Sequence, residues 1–92
     1  MAPINRFRQL EAALGYLIAP TGLRIPIKNL SITTDSLWWG GRVWLLRGET
    51  IEPGTFRLTM NDGRTADLSI DEIHVNYLGF TRAAFHGFGP AP

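Results

Sequence analysis

The chain has 92 residues, enough for one small hydrophobic core, and we predict a single domain over residues 1–92. Its composition is 45% hydrophobic and 18% charged with no cysteine, which is typical of a folded protein and excludes disulfides and thiolate metal sites. A formal net charge of +1, and the lack of any apolar run near the roughly 20 residues that span a bilayer, argue against nucleic acid and membranes as partners.

The first segment of the chain has the pattern of a short helix. Asn5 can cap its N-terminus, apolar residues recur at helical spacing up to Leu14, and Gly15 can end it. We therefore predict one helix over about residues 5–14.

Strand patterns follow the helix. Residues 16–19 and 23–27 flank a Pro-Thr-Gly sequence at 20–22 that suits a type I turn followed by a G1 bulge, so the two strands should pair. The apolar alternation shifts by one position after Ile27. This shift predicts a β-bulge near Lys28 and Asn29.

All three tryptophans lie within residues 37–46, around Gly40 and Gly41. We predict that the two glycines form the tight loop of a hairpin, because glycine is favoured in two-residue turns. The period of two then divides the hairpin into two faces: Leu37, Trp39, Arg42, Trp44 and Leu46 on one, and Trp38, Val43 and Leu45 on the other. Both faces would be apolar, so one of them should need a second layer or a partner molecule.

The clearest strand pattern covers residues 56–70. Apolar residues alternate with polar ones on both sides of a turn at residues 61–63, which predicts a hairpin with one buried face. The residues expected in the core are Phe56, Leu58, Met60, Ala66, Leu68 and Ile70. We expect Asp71 and Glu72 to end the second strand, a last strand to cover about residues 73–80, and residues 83–92 to form an irregular tail of aromatic residues, proline and glycine.

These elements predict a mainly β fold. Six or seven short strands with tight turns over about residues 16–80 fit a small antiparallel β-barrel or a compact two-layer β-sandwich, with the short helix at its N-terminal end.

The sequence contains no motif of an enzyme or of a metal site. His74 and His86 have no cysteine, histidine or acidic residue at metal-ligand spacing, and the serines lie in ordinary strand and turn contexts. We therefore predict no catalytic residue, no metal and no cofactor, and a protein that is not an enzyme.

Arg6 and Arg8, followed by Asn29, Leu30 and Ser31, resemble the signature of PilZ domains. In that family an arginine pair precedes an Asp/Asn-x-Ser-x-x-Gly motif. The resemblance implies a six-stranded barrel that binds cyclic di-GMP. The chain departs from the pattern in the spacing of the arginines and at Thr34, which stands where the motif has glycine, so we assign no site residue from it.

The tryptophan segment carries our functional prediction. Tryptophan and arginine are enriched in interface hot spots, so we predict a non-enzymatic structural or protein-interaction module that assembles through the tryptophan hairpin. The partner is expected to be a second copy or another protein, as in a subunit of a larger assembly of phage or mobile-element origin, and the location cytoplasmic or in a virion. The expected contact residues are Trp38, Trp39, Arg42, Trp44, Phe85 and Phe88.

Two alternatives remain open at this point. The tryptophans could simply fill the core. Alternatively, the chain is a PilZ-like or OB-like barrel that binds a nucleotide or single-stranded nucleic acid, with Trp39 or Trp44 stacking on a base. The arginines that would hold phosphate are Arg42, Arg57 and Arg64.

Overall fold

The computed structural model describes residues 13–92, which form six antiparallel β-strands closed into a barrel. The strands are β1 (Gly15–Ile18), β2 (Arg24–Asp35), β3 (Trp38–Leu45), β4 (Gly54–Met60), β5 (Thr65–Val75) and β6 (Thr81–Phe88). Their order around the barrel is β1-β2-β3-β6-β5-β4, and β4 pairs with β1 to close it. The prediction of a mainly β, antiparallel fold is confirmed, in the form of a barrel.

Residues 13–92 contain no helix, so none in this part of the chain is long and apolar enough to cross a membrane. The helix predicted over about residues 5–14 lies outside the described residues except for Ala13 and Leu14, which are not helical. The backbone N–H of Leu14 donates to the carbonyl oxygen of Ile27 at 2.8 Å. The chain therefore enters β1 already attached to β2.

The first predicted hairpin is confirmed. β1 pairs with the start of β2, and the N–H of Gly22 donates to the carbonyl oxygen of Ala19 at 2.8 Å across the turn. Gly22 has a φ of 93°, as the glycine of a G1 bulge requires. The register of β2 against β3 shifts between Ile27 and Asn29, which is the predicted bulge.

The hairpin of β4 and β5 supplies much of the core, as predicted. Its six inward apolar residues are buried: Phe56, Leu58, Met60, Ala66, Leu68 and Ile70. The rest of the buried cluster comes from the other strands and from the loop after β3: Leu17, Ile25, Ile27, Trp39, Val43, Leu45, Ile51, Ala83 and Phe85.

The predicted hairpin loop at Gly40 and Gly41 is wrong. Both glycines lie inside β3, and the turn before this strand is made by Ser36 and Leu37. A Cβ atom on Gly41 would collide with the backbone of β2, and one on Gly40 would lie 2.6 Å from the carbonyl oxygen of Phe85 on β6. The glycines therefore allow neighbouring strands to approach closely and do not form a turn.

Because β3 is continuous, the predicted division of its side chains into two faces is also wrong. Trp39 is on the buried side with Val43 and Leu45, whereas Trp38 and Arg42 are exposed. The prediction reversed this relationship because a two-residue loop would have shifted the alternation after Gly41.

The acidic pair Asp71 and Glu72 does not end β5. The strand continues through a bulge, since its pairing with β6 shifts between Ile70 and Glu72, and it ends at Val75. A bulge accommodates the extra residue without breaking the strand. The predicted last strand over residues 73–80 is therefore the end of β5 followed by a turn.

The predicted irregular tail contains β6, which pairs with both β3 and β5. Its inward side chains alternate as expected for a strand, with Thr81, Ala83 and Phe85 all buried. Two of these three are small, so the hydrophobic period is weak in the sequence. We missed a central strand for this reason.

Candidate interaction surface

Strands β2, β3, β6 and β5 are neighbours and present one continuous outer face. The register pairs Asn29 with Trp44, Trp44 with Arg82, and Arg82 with His74. Residues that pair across antiparallel strands point to the same side of the sheet, so these four form a row across it. Trp44 is partly buried and the other three are exposed.

A shallow depression of about 360 Å³ lies beside this row, between Trp38 and Arg42. Small residues line it, including Ser31 and Thr33 of β2 and Ala84 of β6. Ser31 pairs with Arg42, which pairs with Ala84. The outer face therefore has a depression between the indole ring of Trp38 and the guanidinium group of Arg42.

Trp38 contacts Gly40 on the outer face. A Cβ atom on Gly40 would be 2.8 Å from Cζ2 of the Trp38 ring, so the indole covers this glycine. The side chain is still 50% exposed, and the adjacent Leu37 is 97% exposed. Glycine at position 40 thus lets a large aromatic ring rest against the sheet while half of it faces solvent.

Phe88 belongs to the same end of the outer face. The pairing of β3 with β6 ends at Gly40 and His86, and Trp38 and Phe88 each lie two residues beyond it at the same end of the barrel. The Phe88 and His86 rings pack edge to face, with centroids 5.2 Å apart. Phe88 is nevertheless exposed, as Trp38 is.

Trp39 and Phe85 point into the barrel and are only 6% and 3% exposed. Their rings pack edge to face at 6.1 Å, and Trp39 Nε1 donates to the carbonyl oxygen of Gly89 at 2.9 Å. Their predicted role as surface contacts, and the stacking of a base on Trp39, are therefore wrong. The other four predicted contact residues lie on the outer face and are called the outer aromatic surface below: Trp38, Arg42, Trp44 and Phe88.

The arginines considered as phosphate ligands have different surroundings. Arg57 pairs with Asp67 at 3.2 Å, and Arg64 pairs with Asp62 at 2.8 Å. In residues 13–92, Arg42 has no carboxylate within 4.0 Å. Of the three, it alone presents an unneutralised charge next to the tryptophans.

His86 lies within hydrogen-bond distance of a carboxylate. Its Nδ1 lies 2.8 Å from Oδ2 of Asp71, and Ser69 is opposite His86 in the register. The hydrogen-bond partner of the His86 ring is Asp71 and not Ser69. Asp71 instead orients the imidazole ring against which Phe88 packs. Within residues 13–92 no group of three or more possible metal ligands occurs.

The sequence alone did not reveal that Arg82, His74 and Ala84 contribute to this surface. Arg82 and Ala84 are on β6, the strand that we missed, and His74 joins them only through its pairing with Arg82. The alternation of Thr81, Ala83 and Phe85 was the sequence signal from which β6 could have been predicted.

The residues that resemble the PilZ signature are only partly described. Asn29 and Ser31 lie on the outer side of β2, where they pair with Trp44 and Arg42. Arg6 and Arg8 lie outside the described residues. No protein-family model, curated protein or solved structure matches this chain. The function is therefore argued from the outer surface itself.

Proposed function

We propose that this chain is a non-enzymatic interaction module that assembles with copies of itself through the outer aromatic surface. The observation that carries the proposal is the Trp38 side chain, which lies on Gly40 and is half exposed on a strand in the middle of the paired sheet. With the exposed Leu37 and Phe88 at the same end of the sheet, this ring contributes to an exposed apolar patch, and such patches often mark interaction sites.

The surface has the residue types of an interface hot spot. Tryptophan and arginine dominate hot spots, and both are present with Phe88 and with the almost fully exposed Leu37. The rings of Trp38 and Phe88 already rest on neighbouring groups, so little side-chain entropy would be lost on binding. A twofold contact between identical surfaces is the simplest geometry, because it is the commonest symmetry of soluble oligomers.

The test is the molar mass measured by light scattering over a range of protein concentrations. We expect the wild type to associate and Trp38→Ala to weaken the association by roughly 30-fold or more, the effect of losing a hot-spot residue. Tyr77→Ala is the matched control, because Tyr77 is an exposed aromatic residue on the distant β5–β6 turn. A wild type that stays monomeric at high micromolar concentration would contradict the proposal.

A second candidate function is the binding of a nucleotide or of a short single-stranded nucleic acid. The observation in its favour is the row in which Trp44 is flanked by Asn29 and Arg82, with Arg42 two residues away on the same strand. An aromatic ring with two arginine side chains nearby suits a base and its phosphate. Titration with cyclic di-GMP and with oligothymidylate should then quench tryptophan fluorescence in wild type but not in Trp44→Ala, and should weaken with salt.

A further inference from the structure

The second half of β2 has a described neighbour on one side only. β1 pairs with residues 24–27 of β2, whereas β3 pairs with it as far as Asp35. Among residues 13–92, no strand pairs with the other side of residues 30–35. We call this segment the β2 edge.

The hairpin geometry determines which backbone groups of the β2 edge point away from β3. Asp35 and Trp38 close a two-residue turn, so they form a hydrogen-bonded pair, and such pairs alternate along the strand. Leu30, Ile32 and Thr34 therefore direct their N–H and C=O groups outward. In agreement, the N–H of Leu30 donates to the side-chain Oδ1 of Asn29 at 2.8 Å.

The β2 edge lacks most of the features that usually prevent edge pairing. Residues 30–34 contain no proline and no charged residue, and three of them are β-branched; the only charge on the segment, Asp35, is at its end. The end of β5 is also paired only with β6, but it carries Glu72 and His74. The β2 edge is thus the better template for an added strand.

We propose that the β2 edge pairs antiparallel with the β2 edge of a second copy, about a twofold axis at Ile32. In this register each residue faces one whose side chain points to the same side of the sheet. Leu30 is opposite the second copy's Thr34, and Ser31 is opposite its Thr33. The N–H groups of Ile32 and Thr34 would donate to the carbonyl oxygens of the second copy's Ile32 and Leu30, while the Leu30 N–H keeps its bond to Asn29. The partly buried side chain of Ile32 would meet its own copy.

The ends of the edge also complement each other. The same register places Asn29 opposite the second copy's Asp35. The Oδ1 atom of Asn29 already accepts from Leu30, whereas its Nδ2 group has no acceptor among residues 13–92 and can donate to that carboxylate. The twofold axis creates this contact twice.

This inference deepens the proposed function, since it rests on self-assembly and names the contact that starts it. Joining two sheets through β2 places both outer aromatic surfaces on one continuous outer face. The dimer would thereby present a wider surface for further association.

Amide hydrogen exchange measured at several protein concentrations tests the pairing. We expect the N–H groups of Ile32 and Thr34 to exchange slowly at high concentration and at least tenfold faster on dilution. Fast exchange at every concentration would overturn the inference. Slow exchange that persists when the protein is diluted to a monomer would also overturn the inference. A segment of the same chain, and not a second copy, would then cover the β2 edge.

A pair of variants separates backbone pairing from side-chain effects. Thr34→Pro removes an N–H that points away from β3, so the concentration-dependent protection of the Ile32 N–H should be lost while the barrel keeps its circular dichroism spectrum. Thr34→Ala keeps the N–H and should show the same concentration-dependent protection of Ile32 as the wild type. Equal protection in the two variants would contradict the pairing. In Trp38→Ala the dilution-dependent protection of Ile32 should persist, so failure of the outer aromatic surface and failure of the β2 edge give different results.

Discussion

Trp39 on β3 is hydrogen-bonded to the chain beyond β6, where the carbonyl oxygen of Gly89 accepts from its Nε1 at 2.9 Å. The indole ring lies against Gly87, at the place where a Cβ atom would stand. A buried indole needs a partner for its N–H, and this bond supplies one. The C-terminal strand is therefore attached to the barrel by a side chain as well as by its backbone.

We predict that Gly87→Ala destabilises the protein by about 1–3 kcal/mol, because the new methyl group would overlap the Trp39 ring. At an unstrained strand position, replacing glycine with alanine usually increases the free energy of unfolding. Urea denaturation gives the sign directly. An unchanged or raised free energy of unfolding would mean that the ring is elsewhere.

The background Trp39→Leu provides the control for this experiment. Leucine occupies less of the space beside Gly87 than tryptophan does. Gly87→Ala should therefore lower the free energy of unfolding by less in this background than in the wild type. The coupling free energy of the two substitutions measures the contact. A cost that is the same in both backgrounds would assign the effect to the backbone of β6.

We predict that the tryptophans differ in accessibility to acrylamide. A variant that retains only Trp39 should emit at shorter wavelength and be quenched less than one that retains only Trp38, since one ring is 6% and the other 50% exposed. The measurement belongs at low concentration, where association does not shield Trp38. Equal quenching of the two variants would contradict the assignment of these residues to opposite faces of β3.

We predict that Leu58→Ala lowers the free energy of unfolding by about 2–5 kcal/mol, because Leu58 is fully buried and its removal leaves a cavity. Thr59→Ala is the matched control on the same strand. Its side chain points to the outer side, so it should change stability by less than about 0.5 kcal/mol. Similar losses of stability in both variants would mean that Leu58 and Thr59 are not on opposite sides of β4.

We predict that the Asp62 carboxyl titrates below its usual pKa of 3.8. The backbone N–H of Arg64 donates to Asp62 at 3.1 Å and is the main cause of the lowered pKa; the Arg64 side chain adds to it. Because the pKa is lower in the folded state, the stabilisation is present above about pH 4 and is lost as the pH falls below it.

Titration of Asp62 by NMR checks this directly. Arg64→Ala should leave the Asp62 pKa below 3.8, since the backbone donor remains. Asp62→Asn should flatten the dependence of stability on pH below about pH 4. A pKa that returns to 3.8 in Arg64→Ala would show that the side chain, and not the backbone, is responsible.

The sequence predicted the elements whose signals are local. Alternation over residues 56–70 and the turn at Gly22 fixed two hairpins, because the period of two and the glycine conformation depend only on neighbouring residues. The composition and the spacing of turns were enough to predict an antiparallel β fold. Four of the six predicted contact residues lie on the outer face.

Only the tertiary structure decided which tryptophans are buried. Gly40 and Gly41 serve as contact points for β6 and β2, strands that are distant in sequence, so the local pattern could not distinguish this use from a turn. β6 is recognisable only between its partners. Its inward positions include the small residues Ala83 and Gly87, and the Trp39 ring occupies the space that a side chain on Gly87 would take. Such small residues carry little hydrophobic signal of their own.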